Sequence, residues 1–149
     1  MNQKRIEPQY TEWVLPSWTS FIPVLAIFPT FWLTFLPIDE ALGALLGIVL
    51  TVAVVALKIA KAPRIAVTHD YLAVANAQIE RRFITSVTAI GPDGVFAARG
   101  HDLDARAWIH FQGSVKSLVK VAIMDPNDPT PYWLFSTRNP EDLKEKLGF

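Results

Sequence analysis

Length, charge and cysteine content narrow the classes of protein that this sequence can encode. The chain has 149 residues, with 14 basic and 14 acidic side chains and a formal net charge of zero. This balance does not favour nucleic acid as a partner. The absence of cysteine excludes disulfides, thiolate metal sites and a thiol nucleophile, and it agrees with folding in a reducing cytoplasm.

Two long uncharged runs near the N-terminus predict a membrane hairpin. They cover residues 13–38 and 41–57, and the two charges between them are Asp39 and Glu40. A helix of the first run would be about 39 Å long at about 1.5 Å per residue, which exceeds the roughly 30 Å hydrocarbon core of a bilayer. The shorter second run reaches the same span if Lys58 snorkels. Neither run has the polar stripe of a helix that faces water.

Prolines and glycines distinguish the two predicted spans. Prolines at positions 16, 23, 29 and 37 predict a kinked first helix beginning near Pro16, because membrane helices tolerate proline where neighbouring groups satisfy the freed carbonyls. Gly43 and Gly47 form a GxxxG pair in the second span, a spacing that allows helices to approach closely. This face would pack either on the first helix or on a second copy of the chain, so a homo-oligomer through Gly43 and Gly47 stays open.

Basic residues predict the orientation of the hairpin. Lys4 and Arg5 precede the first span, and Lys58, Lys61 and Arg64 follow the second, whereas the connecting turn has none. By the positive-inside rule both chain termini are therefore expected in the cytoplasm, which predicts a cell-membrane protein with two spans. A cleaved signal peptide is disfavoured because the apolar run is longer than a typical h-region and a second span follows at once.

The pattern of apolar runs and charges divides the chain into three parts. Residues 1–12 are expected to form a cytoplasmic N-terminal tail, residues 13–62 the transmembrane hairpin, and residues 63–149 a cytoplasmic β-rich domain with a C-terminal helix. The last part is long enough for one small domain, and short β-branched runs between turn residues predict its strands. The predicted strands cover residues 64–68, 71–75, 77–80, 83–90, 107–111, 115–124 and 132–137. Residues 95–104 are ambiguous between a short helical turn and a loop.

The end of the chain predicts one amphipathic helix. Asn139 is placed to cap it, Pro140 suits its first position, Leu143 and Leu147 lie one turn apart, and Gly148 ends it. The expected fold class is a membrane α-hairpin plus α+β, with two transmembrane helices followed by a small antiparallel β-domain and a C-terminal helix. In architecture this resembles the pleckstrin-homology-like fold, which by itself implies no function.

The most distinctive stretch outside the hairpin is the proline-rich loop and strand of residues 125–138. Its prolines restrict the backbone, and its aspartate and asparagine side chains favour turns. An EF-hand calcium loop is excluded because Thr130 stands where glycine is needed and Ser136 where glutamate is needed. The stretch is either a rigid turn with Trp133 or Tyr132 packed on the core, or a binding surface. The candidate partner-binding residues are Asp125, Asp128, Tyr132, Trp133 and Arg138.

The same stretch carries a family resemblance. The pattern is Asp125-Pro126-x-Asp128-Pro129-Thr130-Pro131-Tyr132-Trp133-x-x-Ser136-Thr137-Arg138-x-Pro140. Together with the double span and the Arg106-Ala107 segment before a strand, it resembles the actinobacterial domain-of-unknown-function family 3093. The likeness covers nearly the whole chain. It implies a two-helix, membrane-anchored actinobacterial protein, and it brings no functional residue with it.

The sequence contains no strong catalytic or metal-binding pattern. No serine lies in G-x-S-x-G, and neither the phosphate-binding nor the dinucleotide-binding glycine loop occurs. His101, Asp102 and Asp104 could offer a nitrogen and two carboxylates to a metal, but such a group is more typical of a solvated loop. We therefore expect no catalytic residue, cofactor or metal. An enzyme with an unrecognised site, including His69, is the least favoured alternative.

Basic residues after the second span are candidates for contact with lipid. Near an anionic inner leaflet each contributes about 1 kcal/mol. The candidate lipid-surface residues are Lys58, Lys61, Arg64, Arg81 and Arg82. The alternative, given equal weight, is that Lys58, Lys61 and Arg64 only satisfy the positive-inside rule while Arg81 and Arg82 lie on a solvated turn. The leading hypothesis is a membrane-anchored cytoplasmic interaction module that binds a protein partner or anionic lipid at the inner leaflet. The alternative is an accessory subunit of a larger membrane complex, held by its transmembrane helices.

Overall fold

The computed structural model describes residues 8–149, which form two compact units. The helical unit comprises residues 15–62, and the two-sheet unit comprises residues 8–14 together with residues 63–149. The basic pair at positions 4 and 5, on which part of the predicted orientation rests, lies outside the described residues.

The helical unit is a hairpin whose first arm is broken. A 3-10 helix at Trp18–Phe21 leads into α1 (Ile22–Leu25), followed by α2 (Ile27–Phe35) and α3 (Glu40–Ala60). The break at Ala26 lies three residues before Pro29, which has no N–H to donate to the preceding turn. The hydroxyl of Thr30 donates to the Ala26 carbonyl at 2.7 Å. The helical segment begins at Trp18, near Pro16 as predicted, and its interruption at Ala26 agrees with the predicted irregular first helix.

Both acidic residues of the connecting turn form hydrogen bonds within the hairpin. Asp39 is the N-cap of α3, and its side chain accepts a hydrogen bond from the backbone N–H of Leu42 at 3.0 Å. Glu40 accepts a hydrogen bond from the indole of Trp32, which lies on the other arm, at 3.3 Å. The two charges that interrupt the apolar sequence therefore stabilise the turn and the start of α3.

The glycine pair of α3 contacts the first arm of its own hairpin. A Cβ at Gly43 would lie 2.6 Å from the Cβ of Phe35, and one at Gly47 would lie 2.9 Å from the carbonyl oxygen of Phe28. Both glycines are buried. This face is therefore covered within one chain, and a homo-oligomer would have to use a different face.

Most of the apolar surface of the hairpin remains uncovered within the chain. The segments Trp18–Phe35 and Glu40–Ala60 are long and apolar enough to cross a membrane. Only 6% of the residues in the first and 11% in the second are buried. Trp18, for example, is 76% exposed. A helix in the core of a soluble protein would be mostly buried, so this exposure is compatible with association with a membrane.

The first sheet of the two-sheet unit is an antiparallel meander. Its strands are β1 (Tyr10–Trp13), β2 (Arg64–Val67), β3 (Tyr71–Val74) and β4 (Ala77–Glu80), in the order β1-β2-β3-β4. The expectation of an N-terminal tail is corrected for residues 10–12, because Tyr10–Trp13 pairs with β2 along its whole length, and residues 1–7 lie outside the described residues. Sequence reasoning missed β1 because its four residues run directly into the apolar segment.

The second sheet contains β5 (Ile84–Ile90), β6 (Trp108–His110), β7 (Leu118–Ile123) and β8 (Tyr132–Ser136). Their order is β5-β7-β8-β6, with β6 parallel to β8 and the other pairs antiparallel. A 3-10 helix at Arg81–Phe83 joins the two sheets. The ambiguous segment after β5 forms a 3-10 helix at Pro92–Gly94 and the short helix α4 (Val95–Arg99).

The hydrophobic core lies between the two sheets and the C-terminal helix α5 (Pro140–Leu147). Alternate residues of β8 serve two cores, because Trp133 and Phe135 face the first sheet while Tyr132 and Leu134 belong to a smaller cluster on the other side. Every residue of β8 is consequently buried. Leu143 and Leu147 close the main core from α5, as their spacing predicts.

The helix-plus-sheet fold class is confirmed, and the predicted strands agree with the observed ones to within a few residues at each end. Asn139 is the N-cap of α5, but its side chain makes no capping hydrogen bond. Gly148 ends the helix in the left-handed conformation with φ of 84°, which glycine adopts without steric cost.

Candidate binding cleft

An open cleft of about 250 Å³ lies where the end of the first sheet meets the loop between β7 and β8. It is formed entirely by the two-sheet unit. Its lining residues are Tyr71, Gln78, Ile79, Glu80, Phe83, Asp125, Asp128 and Trp133. Three aromatic rings and three carboxylates therefore border one small space.

Strand pairing and a tight loop hold these side chains together. Tyr71 and Glu80 are directly opposed in the β3–β4 pair. The loop begins where the N–H of Met124 donates to the carbonyl of Phe83 at 2.9 Å, and a single β-bridge joins Asp125 to Asp128. These bonds set the acidic loop beside the 3-10 helix that follows β4.

Each loop aspartate uses one carboxylate oxygen to form its own turn. Oδ1 of Asp125 accepts from the N–H of Asn127, and Oδ1 of Asp128 accepts from the N–H of Thr130, both at 2.9 Å. Hydrogen bonds from the side chain and backbone of Thr130 hold the pKa of Asp128 below its usual range, so this group is ionised at neutral pH. Among residues 8–149, neither aspartate forms an ion pair.

The third carboxylate of the cleft already has a cationic partner. Oε2 of Glu80 lies 2.6 Å from Nε of Arg82, and the Arg82 guanidinium carbon is 4.7 Å from the centroid of the Phe83 ring. The chain thus places one of its own guanidinium groups against a carboxylate and an aromatic ring beside the cleft. The two aspartates leave the remaining lining negative.

The aromatic wall of the cleft is anchored in the core. Trp133 is only 5% exposed, and its ring packs at 4.6 Å from that of Trp108 on the neighbouring parallel strand β6. Phe83 and Tyr71 are half-buried. The buried strand β8 holds Trp133 in place by pairing with both of its neighbouring strands.

The structure brings together three of the five predicted partner-binding residues. Asp125, Asp128 and Trp133 line the cleft. Tyr132 does not, because it is buried on the other face of β8, where its hydroxyl accepts from the N–H of Asp104 at 2.7 Å. Arg138 is exposed and lies beyond the end of β8, where its N–H donates to Glu12 at 2.7 Å.

The predicted basic lipid-contact residues are mostly engaged within the chain. Arg81 donates to the carbonyls of Thr68 and Leu147 at 3.2 and 2.9 Å, so it caps the end of α5. Lys58 donates to the Ser20 carbonyl at 3.2 Å. Arg82 pairs with Glu80, and the Arg64 guanidinium lies 4.9 Å from the centroid of the Trp13 ring. Lys61 is exposed. These contacts do not test lipid binding, so lipid contact by these five residues stays a prediction.

The acidic and histidine residues weighed as metal ligands form local pairs. His101 lies 3.1 Å from Asp102, and His69 lies 3.1 Å from Asp70, with all four side chains exposed. Arg106 donates to Asp104 and holds the pKa of that carboxyl below its usual range. Within the described part of the chain, no group of three or more histidines and carboxylates is arranged to hold a metal ion.

Sequence reasoning missed a buried carboxylate that accepts hydrogen bonds from three different residues. Glu12 on β1 is buried, and its carboxylate accepts from the hydroxyls of Tyr10 and Thr137 and from the N–H of Arg138. Burial and the adjacent Glu12 carboxylate raise the pKa of Tyr10 to about 12. The alternation of Tyr10 and Glu12 before the apolar run was the available indication of a strand. The partners across the chain could not be read from sequence.

A second cavity, of about 270 Å³, lies beside α4 on the other face of the second sheet. Its mainly apolar lining consists of Ile90, Gly94, Ala97, Ala98, Asp102, Lys120, Tyr132 and Leu134. The ammonium of Lys120 is 4.1 Å from the centroid of the Tyr132 ring. Because Lys120 and Tyr132 both have partners within the chain, this cavity is a weaker candidate than the acidic cleft.

The comparison with known families gives one match. The model of a family described as a protein of unknown function (DUF3093) matches residues 9–147. The chain belongs to this family. No curated protein and no solved structure gave a match. In this DUF3093 chain, Ser136 accepts from the N–H of Gln112 and Thr137 donates to Glu12, so both hydroxyls tie β8 to other segments.

Proposed function

We propose that this chain is a membrane-anchored interaction module. In this proposal the helical unit crosses the cell membrane twice, and the two-sheet unit binds a protein partner at the cytoplasmic face. The observation that carries it is the combination of an apolar hairpin left largely uncovered within the chain with a folded unit that presents an acidic, aromatic cleft. The hairpin supplies location, and the cleft supplies a surface for recognition.

Strand pairing at the two ends of the hairpin supports an even number of membrane crossings. β1 ends just before the hairpin and β2 begins just after it, and the two strands pair antiparallel over four residue pairs. Because both ends of the hairpin lead into one sheet, a spanning hairpin has to leave the membrane on the side where it entered. The basic residues after α3 favour the cytoplasm as that side.

We also infer a pleckstrin-homology-like architecture for the two-sheet unit. An antiparallel four-stranded sheet, the antiparallel arrangement β5-β7-β8 and a C-terminal helix packed on the core support this inference. The segment carrying α4 and the parallel strand β6 would then be an insertion between β5 and β7. A poor superposition of the two sheets on that fold would refute the inference.

A protein partner is favoured over anionic lipid as the occupant of the cleft. Of the basic residues first considered for lipid contact, Arg81, Lys58 and Arg82 have partners within the chain. The cleft itself carries carboxylates, which repel anionic headgroups. These contacts favour a protein over lipid, although Lys61, Arg64 and Arg82 remain exposed.

The alternative of an accessory subunit assigns the essential contact to the helices. The uncovered surface of the hairpin supports it equally, because lipid and a second membrane protein both cover apolar side chains. An enzyme with an unrecognised site is the third candidate. His69 and His101 are both exposed and paired with neighbouring aspartates, an arrangement that gives this candidate little support.

In-cell photocrosslinking with a hairpin exchange separates the module from the subunit. A photoreactive amino acid replaces Gln78 at the cleft, and a matched variant carries it at Thr88, an exposed position on β5 outside the cleft. We expect a discrete protein adduct from position 78 and none from position 88. Residues 18–60 are then exchanged for an unrelated two-span hairpin. A module retains the adduct, whereas a subunit held by its helices loses it.

A further inference from the structure

The cleft has a charge and shape that select one kind of partner group. At about 250 Å³ it is smaller than the roughly 300–1,000 Å³ of typical small-molecule sites. It therefore suits one or two side chains of a partner rather than a whole cofactor. The question is which side chain its walls would recognise.

We propose that the cleft binds a lysine or arginine side chain of a protein partner, received between the aromatic wall of Trp133, Tyr71 and Phe83 and the carboxylates of Asp125 and Asp128. This inference rests on the proposed function and adds the chemistry of the partner. It predicts a basic residue at the centre of the recognised segment.

Charge complementarity is the first argument. Within the described residues, no basic side chain pairs with Asp125 or Asp128, and each keeps one carboxylate oxygen free of its turn-forming hydrogen bond. Such an oxygen accepts a charge-assisted hydrogen bond from an ammonium or guanidinium group. An anionic partner would meet repulsion from the same two groups.

The aromatic wall supplies the second argument. Aromatic faces attract cations, and Arg is the residue that most often stacks on them. The chain already shows this pairing beside the cleft, where the Arg82 guanidinium lies 4.7 Å from the Phe83 ring centroid and pairs with Glu80. A partner's cation in the cleft would repeat the same combination of ring and carboxylate with the half-buried Tyr71 and the two aspartates, above the buried Trp133.

The turn geometry allows the two charges to be removed while the turn hydrogen bonds are kept. Asp125→Asn with Asp128→Asn removes both charges but keeps a side-chain oxygen that can accept from Asn127 and Thr130, so the loop is expected to retain its conformation. The matched control is Asp93→Asn with Glu145→Gln, which removes two charges at exposed positions outside the cleft. Circular dichroism checks that each variant is folded.

The probe is a set of fluorescent glycine-serine peptides that differ only at a central Arg, Lys, Gln or Glu. Binding to the full-length protein in nanodiscs of uncharged lipid is followed by fluorescence anisotropy. We expect the Arg and Lys peptides to bind about five-fold tighter than the Gln peptide, as one exposed ion pair and a cation–π contact would give. The aspartate double variant reduces this preference to less than two-fold, and the control variant keeps it.

A charge reversal provides a second variant. Asp128→Lys is expected to lose the preference for the Arg peptide and to improve binding of the Glu peptide. Equal binding of the Arg and Gln peptides, or a preference for Arg that survives the aspartate double variant, overturns the inference. So does binding that appears only when anionic lipid is added. A protein adduct from position 78 in cells combined with equal peptide binding means that the module exists and the cation does not define its partner.

Discussion

At the scale of single residues, Glu12 connects parts of the chain that are far apart in sequence. Its carboxylate accepts from Tyr10 on the same strand and from Thr137 and Arg138 at the start of the α5 connection. Thr137 is fully buried, and its hydroxyl also accepts from the N–H of Asn139 at 3.2 Å. This cluster links β1, which leads into the hairpin, to the C-terminal part of the two-sheet unit.

Replacing Thr137 should therefore destabilise the two-sheet unit. Thr137→Val keeps the volume but removes the hydroxyl that donates to Glu12 and accepts from Asn139, leaving buried polar groups unpaired. We expect a loss of about 1–3 kcal/mol in the free energy of unfolding, measured by urea unfolding of the full-length protein in detergent. Thr88→Val, at an exposed position on β5, should change stability by no more than about 0.5 kcal/mol. Equal effects of the two variants would contradict the role assigned to the Glu12 cluster.

Tyr10 should make stability depend on pH in the alkaline range. Burial and Glu12 raise its pKa from 10.0 to about 12, so the folded state favours the neutral phenol. The stability from this group is fully present below pH 10 and is lost as the pH rises towards 12. Because the ring is partly exposed, the loss is about 1 kcal/mol after allowance for solvent screening. Tyr10→Phe removes this component, so the difference between the two unfolding profiles should narrow or change sign across that window. A constant difference would argue against the shift.

At the scale of secondary-structure elements, Arg81 closes the last turn of α5. Its guanidinium donates to the carbonyls of Leu147 and Lys146 at 2.9 and 3.3 Å and also to that of Thr68. A helix leaves its last carbonyls without intrahelical donors, and a cation there is favoured by the helix dipole. This arginine therefore joins the β2–β3 turn to the end of α5.

Removing the Arg81 cap should loosen α5 specifically. We expect Arg81→Gln to lower the free energy of unfolding by about 1–3 kcal/mol and to speed amide hydrogen exchange in the last turn of the helix. The neighbouring Arg82→Gln removes the same charge from an exposed side chain and should cost at most about 1 kcal/mol. If the two variants behave alike, the cap contributes little and the lipid-facing interpretation of Arg81 regains support.

The glycine face of α3 gives a prediction for the hairpin. Gly43→Val and Gly47→Val place a side chain within 3 Å of Phe35 and Phe28, so the arms must separate at a cost of about 1–3 kcal/mol for each overpacked site. We expect a lower melting temperature in nanodiscs for each variant. Ala53→Val, on an exposed part of α3, is the matched control. A change in oligomeric state at unchanged stability would instead favour a glycine-mediated contact between copies.

At the scale of the whole molecule, the proposed topology can be tested by cysteine labelling of this cysteine-free chain. Ile38 is 75% exposed in the hairpin turn, and it is a better site than Asp39, which caps α3. Lys116 is exposed on the two-sheet unit. An impermeant reagent should label Ile38→Cys in intact cells and Lys116→Cys only after permeabilisation. Labelling of position 116 from outside would reverse the orientation, and labelling of both would refute two complete crossings.

Much of the fold was predictable because its determinants are local. Apolar length indicated the hairpin arms, period-two alternation indicated the strands, and Pro140 with Gly148 delimited α5. The strand β1 was missed because the alternation that indicates it covers only four residues beside a long apolar run. The parallel pairing of β6 was also beyond local reasoning, because strand pairing depends on contacts between distant segments.

The sequence by itself determined the apolar hairpin, the succession of strands and the turns at Asp125–Asp128, because composition and turn chemistry act over a few residues. Only the tertiary structure decided which side chains meet. It buried Tyr132 and brought Asp128 to Trp133 and Tyr71 across the two sheets. It also brought the Arg81 guanidinium to the last carbonyls of α5 and the Thr137 hydroxyl to the Glu12 carboxylate. These pairings depend on the packing of one core by both sheets, and that packing is a property of the whole chain.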